Sequence, residues 1–390
     1  MTTLFMLPWE PMEERYTGQW WEWLPKSLGV GFDNVTVIAG QALRDRITVG
    51  AFLDLNSTAH YKATQLARVA QLFAAGSVKS GDAFWVSDIE FWGIESIRYL
   101  ARLQGIKVFM FGFLHAASYT TEDFMAPMAD IGAYLEPAWV AAFDRVYVGS
   151  EYHKYRVTQA RLSAAPFGYA PLGERIVVTG NPWRTREVAY GAGARKFEDR
   201  DIDICFPHRP DREKRPGVFL RAALSMQRHR GNALKIAFTT GRESYTSTND
   251  PLFIEEVKKA QDSGLVEIHT NLNRPRFYDI LGRSKVVVST AIEENFGYAM
   301  LEGMAMGAIP VMPYNYSYPE LVAKDRRFLY LPNEDSNKVS MISGHLAKAL
   351  ALTPEQGAEL SALAQSLAAR YDASEALIHE DMQKTMKGSA

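Results

Sequence analysis

Two glutamates eight positions apart, Glu294 and Glu302, bracket Phe296 and Gly297 in the stretch EENFGYAMLEG, residues 293–303. If Gly297 opens a helix, Glu294 lies in the loop before it and Glu302 more than a turn inside. At ~1.5 Å rise per residue the two carboxylates then stand roughly 10 Å apart. That exceeds the ~5–5.5 Å between the carboxyl groups of a retaining glycosidase, which sets that chemistry aside. The spacing suits a ligand with hydroxyls at both ends and an anionic centre. A nucleotide sugar has this form, with one carboxylate on the transferred sugar and the other on the ribose. Its diphosphate would lie at the helix N-terminus, where free N–H groups favour anions and a glycine permits close approach. The plainer alternative is a helix cap followed by a core helix with one solvated glutamate.

An anionic centre needs cations. HRPDREK, residues 208–214, follows the apolar run DICF directly and carries Arg209 and Lys214. A loop after the first strand of an α/β domain is a place where ligands bind. An isolated R-x4-K is otherwise a solvated, charged loop.

The elements that must position these residues alternate along the chain. NVTVIAG (34–40), DAFWVSD (82–88), IKVFMFGFLH (106–115) and RVYVGS (145–150) read as buried parallel strands. HYKATQLARVAQLFAAG and IESIRYLARLQG between them have helical apolar spacing and end in glycine. A second series begins with DIDICFPH and continues through LKIAFTTG, GLVEIHT, SKVVVST and AIPVMP, with helices such as GVFLRAALSMQRH and PLFIEEVKKAQDS between. The pattern predicts two doubly wound, Rossmann-like α/β domains facing each other across a cleft. RIVVTGNPWR (175–184) and the polar EVAYGAGARKFEDRD after it place the break, giving domains 1–183 and 184–371. The last helix, within 372–390, is long enough to cross back to the first domain.

Composition sets limits on function. The 390 residues are 47% hydrophobic, enough for two real cores, and 43 basic against 45 acidic residues leave a net charge of −2 that favours no partner in bulk. The single cysteine, Cys205, excludes an internal disulfide and suits a reducing compartment. MTTLFMLPWEPMEE lacks the basic start of a leader, and VFMFGFLHAA is far short of the ~20 apolar residues of a span. A cytoplasmic protein, in the host cytoplasm if viral, is expected. No Walker A loop, dinucleotide fingerprint or zinc-type Cys/His spacing occurs.

EENFGYAMLEGMAMGAIPV resembles the E-x7-E signature region of GT-B glycosyltransferases, particularly the retaining group called family 4. FPHRPDREKRP resembles that family's G-R-x4-K segment, and LGRSKVVVSTAIEENFG the strand leading into the signature. The likeness is strong over residues 200–325 and mostly architectural before that. One departure is Phe206-Pro207-His208, where the family usually carries glycine. The resemblance implies that Glu294 contacts the donor sugar and Glu302 the ribose, and that Arg209 and Lys214 neutralise the diphosphate. It further implies that Phe296 and Gly297 present backbone amides and that transfer retains configuration. VFMFGFLHAASY is similar to the family's strand ending in histidine, which would put His115 near the transferred sugar.

Other first-domain candidates rest on position. Asp88 and Glu90 end a strand and are placed to bind acceptor hydroxyls or act as base, with a helix cap as the alternative. Gly18 in ERYTGQWW lies where a first βα loop approaches the donor. Asp201 and Asp203 imitate the D-x-D metal motif of another glycosyltransferase fold, but Lys and Arg already answer the diphosphate. No metal and no cofactor beyond the nucleotide-sugar donor, such as a UDP-sugar, is therefore expected. LHAASYTTEDF, ERYTGQWW and FLDLNSTAHYK look similar to bacteriophage-type glycosyltransferases, some of which decorate hydroxymethylated pyrimidines in DNA. Trp20, Trp21, Trp92 and Tyr119 are the aromatics available to meet such a base, with burial in the core the plainer reading for at least half of them. RHRGNALK and REKRPGVFLR are the basic clusters, with a solvated helix surface as the alternative. The alternatives are a bacterial glycan or small-molecule acceptor, a sugar-nucleotide epimerase, a phosphorylase, or a binding module without activity.

Overall fold

The computed structural model describes residues 1–11, 16–43, 55–121, 125–163, 172–189, 195–230, 234–241, 244–245, 251–331 and 338–388. Parts of RHRGNALK, LHAASYTTEDF, FLDLNSTAHYK, ERYTGQWW and the polar segment after Arg184 fall outside them. The chain divides into two compact units, Met1–Trp183 with Ala373–Ala390, and Arg184–Asp372.

The first unit is a six-stranded parallel sheet of β1 (Thr3–Leu7), β2 (Asn34–Val37), β3 (Ala83–Val86), β4 (Phe109–Phe113), β5 (Arg145–Val148) and β6 (Ile176–Val178). Its order is β2-β1-β3-β4-β5-β6, with Leu4 opposite Ala83 and Phe84 opposite Met110. Successive side chains of a strand point to opposite faces. Leu4, Met6, Trp85, Phe111 and Phe113 therefore pack with Trp20, Trp23, Ile378 and Met382 on one face. Phe5, Leu7, Phe84, Val86 and Met110 pack with Val69, Phe73, Ile97 and Trp139 on the other. Both faces of the inner strands are apolar, so these read as unbroken apolar runs. β2, expected as a buried strand, is instead an exposed edge strand, since only β1 pairs with it. The opening segment MTTLFML, considered from sequence only for its lack of a leader, is an inner strand, β1.

The helix Tyr16–Leu28 corrects one expectation. Gly18 lies in its first turn and not in a βα loop. Trp20, Trp23, Leu24 and Leu28 recur at helical spacing and are all buried, and covering the sheet with them outweighs Pro25 within the helix. The helix Ser374–Gly388 lies beside it in the same core.

The second unit is a parallel sheet of β7 (Ile202–Phe206), β8 (Ile236–Thr239), β9 (Val266–His269), β10 (Ser284–Val288), β11 (Ile309–Pro313) and β12 (Leu329–Tyr330). The order is β12-β11-β10-β7-β8-β9. The chain winds outward from β7 through β8 to β9, then returns to the other side of β7 as β10. Ligands of open α/β sheets bind at the strands' carboxyl ends where winding reverses. That point lies between β7 and β10 here, and between β1 and β3 in the first unit. Among the described residues no helix is long and apolar enough to cross a membrane.

Candidate active site

The loops leaving β7 and β10 carry the motif residues, and adjacent strands bring them together. Lys214 Nζ lies 3.0 Å from Glu294 Oε2 and 3.7 Å from Glu213 Oε1. Arg209 reaches Asp211 through Nε at 3.0 Å and Glu213 through Nη2 at 2.8 Å. The two loops are stapled by backbone contacts. Thr290 Oγ1 lies 2.7 Å from the Lys214 carbonyl and 2.9 Å from that of Arg215, and Ile292 N–H donates to the Glu213 carbonyl at 2.9 Å. Burial works against the charge on both Lys214 and Glu294. Their mutual attraction outweighs it, raising the Lys214 pKa and lowering that of Glu294.

Glu294 also organises the start of the next helix, Tyr298–Ala305. Its Oε1 accepts from the amides of Gly297 at 3.0 Å and Phe296 at 3.4 Å. The two amides expected to face sugar and phosphate are thus held by Glu294. Gly297 caps the helix at φ +95°, and a Cβ there would come within 2.9 Å of Leu321 Cδ1. Both strain and space demand glycine at this turn.

Glu302 is 5% exposed and accepts from Arg274 Nη1, with Tyr278 Oη donating to the same oxygen at 3.2 Å. Arg274 also bonds Tyr278 Oη at 2.6 Å. Sequence reasoning missed both partners, although a signal existed. Asn273 caps the helix Arg274–Arg283 through the Arg276 amide. A cation in the first turn opposes the helix dipole and calls for a carboxylate nearby.

His208, the departure from the glycine of the resembling family, is 4% exposed with Nε2 buried and without a partner among the described residues. Burial, assisted by Lys214 and Arg209 and opposed by Glu294, pushes its pKa down to about 3. Asp201 and Asp203 are occupied by cations: Arg283 reaches Asp201 at 2.5 Å and Lys285 reaches Asp203 at 2.9 Å.

In the first unit His115 follows β4 at the sheet's carboxyl edge. Its Nε2 lies 2.8 Å from the Ser87 carbonyl and its Nδ1 3.1 Å from Tyr16 Oη. The ring packs among Trp9, Trp20 and Phe113 with centroids 4.8–5.0 Å away. Burial lowers its pKa, and with a carbonyl to donate to it is held as a neutral imidazole. Asp88, beyond β3, is an ion-pair partner of Lys62 at 2.7 Å and accepts from the Glu90 amide at 3.2 Å. Lys62 also donates to the Glu90 carbonyl. Asp88 closes a turn around its own loop, and no helix is capped.

The aromatic candidates separate by burial. Trp20 is 3% exposed and donates Nε1–H to the Pro182 carbonyl, and Tyr119 is 8% exposed and bonded to His153. These two belong to the interior, in keeping with the expectation that at least half of the four aromatics are core residues. Trp92 is 50% exposed and Trp21 is half-buried.

These two units have the GT-B fold. A UDP-forming trehalose-phosphate synthase from Burkholderia vietnamiensis superposes with a TM-score of 0.65 at 11% identity, covering 99% of this chain and 98% of that one. Pneumococcal O-GlcNAc transferase, in complex with UDP and GlcNAc, superposes with a TM-score of 0.56 at 14% identity, covering 84% of this chain and 62% of that one. Residues 193–356, most of the second unit, match the family described as glycosyl transferases group 1. A curated relative, the tRNA-queuosine alpha-mannosyltransferase of Drosophila melanogaster, is 27% identical over 143 residues. That alignment takes in 37% of this chain and spans about a third of the relative, 36% of its length.

Proposed function

We propose that the protein is a retaining, metal-independent glycosyltransferase that moves a hexosyl or pentosyl group from a nucleotide sugar to an acceptor hydroxyl. The observation carrying this reading is the pairing of Lys214 with Glu294 at 3.0 Å, on the two loops where the second sheet reverses its winding. Arg209 shares the Lys214 loop. Together the two cations answer the charge that develops on a departing diphosphate, which is where preorganised electrostatics accelerate such a reaction. Because they serve that purpose, no divalent ion is needed. Glu294, oriented by the Phe296 and Gly297 amides, holds the sugar end, and Glu302, oriented by Arg274 and Tyr278, the ribose. UDP is the nucleotide most consistent with the structural relatives, one described as UDP-forming and one bound to UDP. His115 and Gly18 belong to the donor side of the first unit, and Asp88 and Glu90 to the acceptor side.

The acceptor we assign is a hydroxyl on a modified base of nucleic acid, hydroxymethylated pyrimidine in DNA. The resemblance of the first-domain segments to bacteriophage enzymes supports it, as does Trp92, whose exposed ring offers a stacking surface. Such a base must leave the stack to react. The curated relative is named for tRNA, so tRNA is the comparison substrate. The protein is incubated with a nucleotide-sugar panel and matched modified and unmodified oligonucleotides, tRNA and a glycan acceptor, and added sugar mass is recorded. A mass shift on modified DNA alone is expected, falling steeply as salt rises. Transfer only to the glycan would overturn the acceptor assignment. Product NMR should show the donor's anomeric configuration, with turnover unchanged in EDTA.

Within the same assay the two glutamates should separate. Ribose contacts bind ground and transition states alike, so Glu302→Ala raises the donor KM, whereas Glu294→Ala lowers kcat. The reverse pattern would exchange the sugar and ribose ends.

A further inference from the structure

Arg209 and Lys214 are already answered by carboxylates of the protein. Arg209 holds Asp211 at 3.0 Å and Glu213 at 2.8 Å, and Lys214 holds Glu294 at 3.0 Å with Glu213 at 3.7 Å. Counting these five groups alone, three carboxylates meet two cations, with Arg212 and Arg215 beside them in the same loop. A diphosphate approaching Arg209 and Lys214 must compete with the carboxylates already on them. One carboxylate, that of Glu213, contacts both cations with a single oxygen, Oε1. A phosphate oxygen bridging a guanidinium and an ammonium would take that same position.

We propose that Glu213 occupies the phosphate subsite and that donor binding displaces its carboxylate from Arg209 and Lys214, so that Glu213 sets donor affinity. This rests on the nucleotide-sugar reading and extends it to a residue outside the R-x4-K and E-x7-E pairs. The exchange is sterically open, since the side chains of Glu213, Arg209 and Lys214 retain 18%, 28% and 13% exposure. Glu213 also has little else to lose. Its backbone carbonyl, held by the Ile292 amide, keeps the loop in place while the side chain swings away. Asp211 remains on Arg209 and Glu294 on Lys214, so neither of these two cations is left wholly unpaired.

Glu213→Gln removes the competing charge and keeps the side chain's size. Titration calorimetry with UDP, GDP and ADP on the full chain should give nucleoside diphosphate affinity at least fivefold tighter than in the unsubstituted protein. Glu213→Ser, which cannot reach Lys214, should do the same, and serves if the glutamine variant does not fold. Unchanged or weaker binding in the folded variant would overturn the proposal, identifying Glu213 as a support that holds the cations in place. Lys214→Ala is the control for the underlying reading. Binding lost in Lys214→Ala but unaltered in Glu213→Gln defeats the Glu213 inference alone. Failure of the unsubstituted protein to bind any of the three diphosphates defeats both.

Discussion

Lys214→Ala should reduce kcat/KM for the nucleotide-sugar donor by roughly a hundredfold or more. Each charge-assisted bond to the diphosphate contributes about 1.5–3 kcal/mol, and every ~1.4 kcal/mol is a factor of ten. The substitution also leaves Glu294 without the ammonium that lies 3.0 Å from it, so an anionic donor meets an uncompensated carboxylate. Steady-state kinetics with the preferred donor measure the effect, and a value within threefold of the unsubstituted enzyme would remove the residue from the diphosphate site. The combined substitution with Arg209→Ala should be more severe still. The pH response of the pair follows from its pKa directions. The raised Lys214 contributes stability below the ordinary lysine value and loses it only as pH climbs through the higher folded value. The lowered Glu294 contributes above the ordinary carboxylate value and loses it as pH falls through the lower folded value. The pair is therefore intact from about pH 4.3 to about pH 10.4, and no inflection between those limits arises from it.

Arg274→Met should cost about 3–5 kcal/mol of stability, because it removes one partner of a buried ion pair and strands the other. Side-chain exposure is 14% for Arg274 and 7% for Glu302, so water cannot restore what the guanidinium supplied. Burial opposes the charge on Arg274, but Glu302 and then Tyr278 more than restore it, and its pKa lies above the ordinary value. Among the described residues Tyr278 would remain to donate to the carboxylate. Urea unfolding gives the loss directly, and a change under about 1 kcal/mol would show that Glu302 is supported from elsewhere. Arg274→Met with Glu302→Gln should recover part of the stability, since the uncompensated charge is then gone. In the donor assay Arg274→Met should act on KM, as is expected of Glu302→Ala, because it changes how the carboxylate proposed to hold the ribose is presented.

The alternation of apolar runs and helical stretches, the motif spacing in EENFGYAMLEG and the position of HRPDREK after DICF were legible in the chain alone. Each is a local property, and local periodicity follows from backbone geometry: two for a buried strand, near 3.6 for a helix. The two-sheet α/β class followed from their order. What the chain could not disclose was pairing at a distance. β10 returns beside β7 only because the sheet reverses there, and that return sets Lys214 against Glu294, 80 positions apart. Arg274 reaches Glu302 in the same way, through the packing of two helices. Tertiary burial also decided which aromatics are interior. Trp20 and Trp21 are neighbours in sequence, yet one is sealed against Phe113 and His115 and the other is half-buried. On a helix successive side chains point about 100° apart, and only the sheet beneath determines which direction is inward.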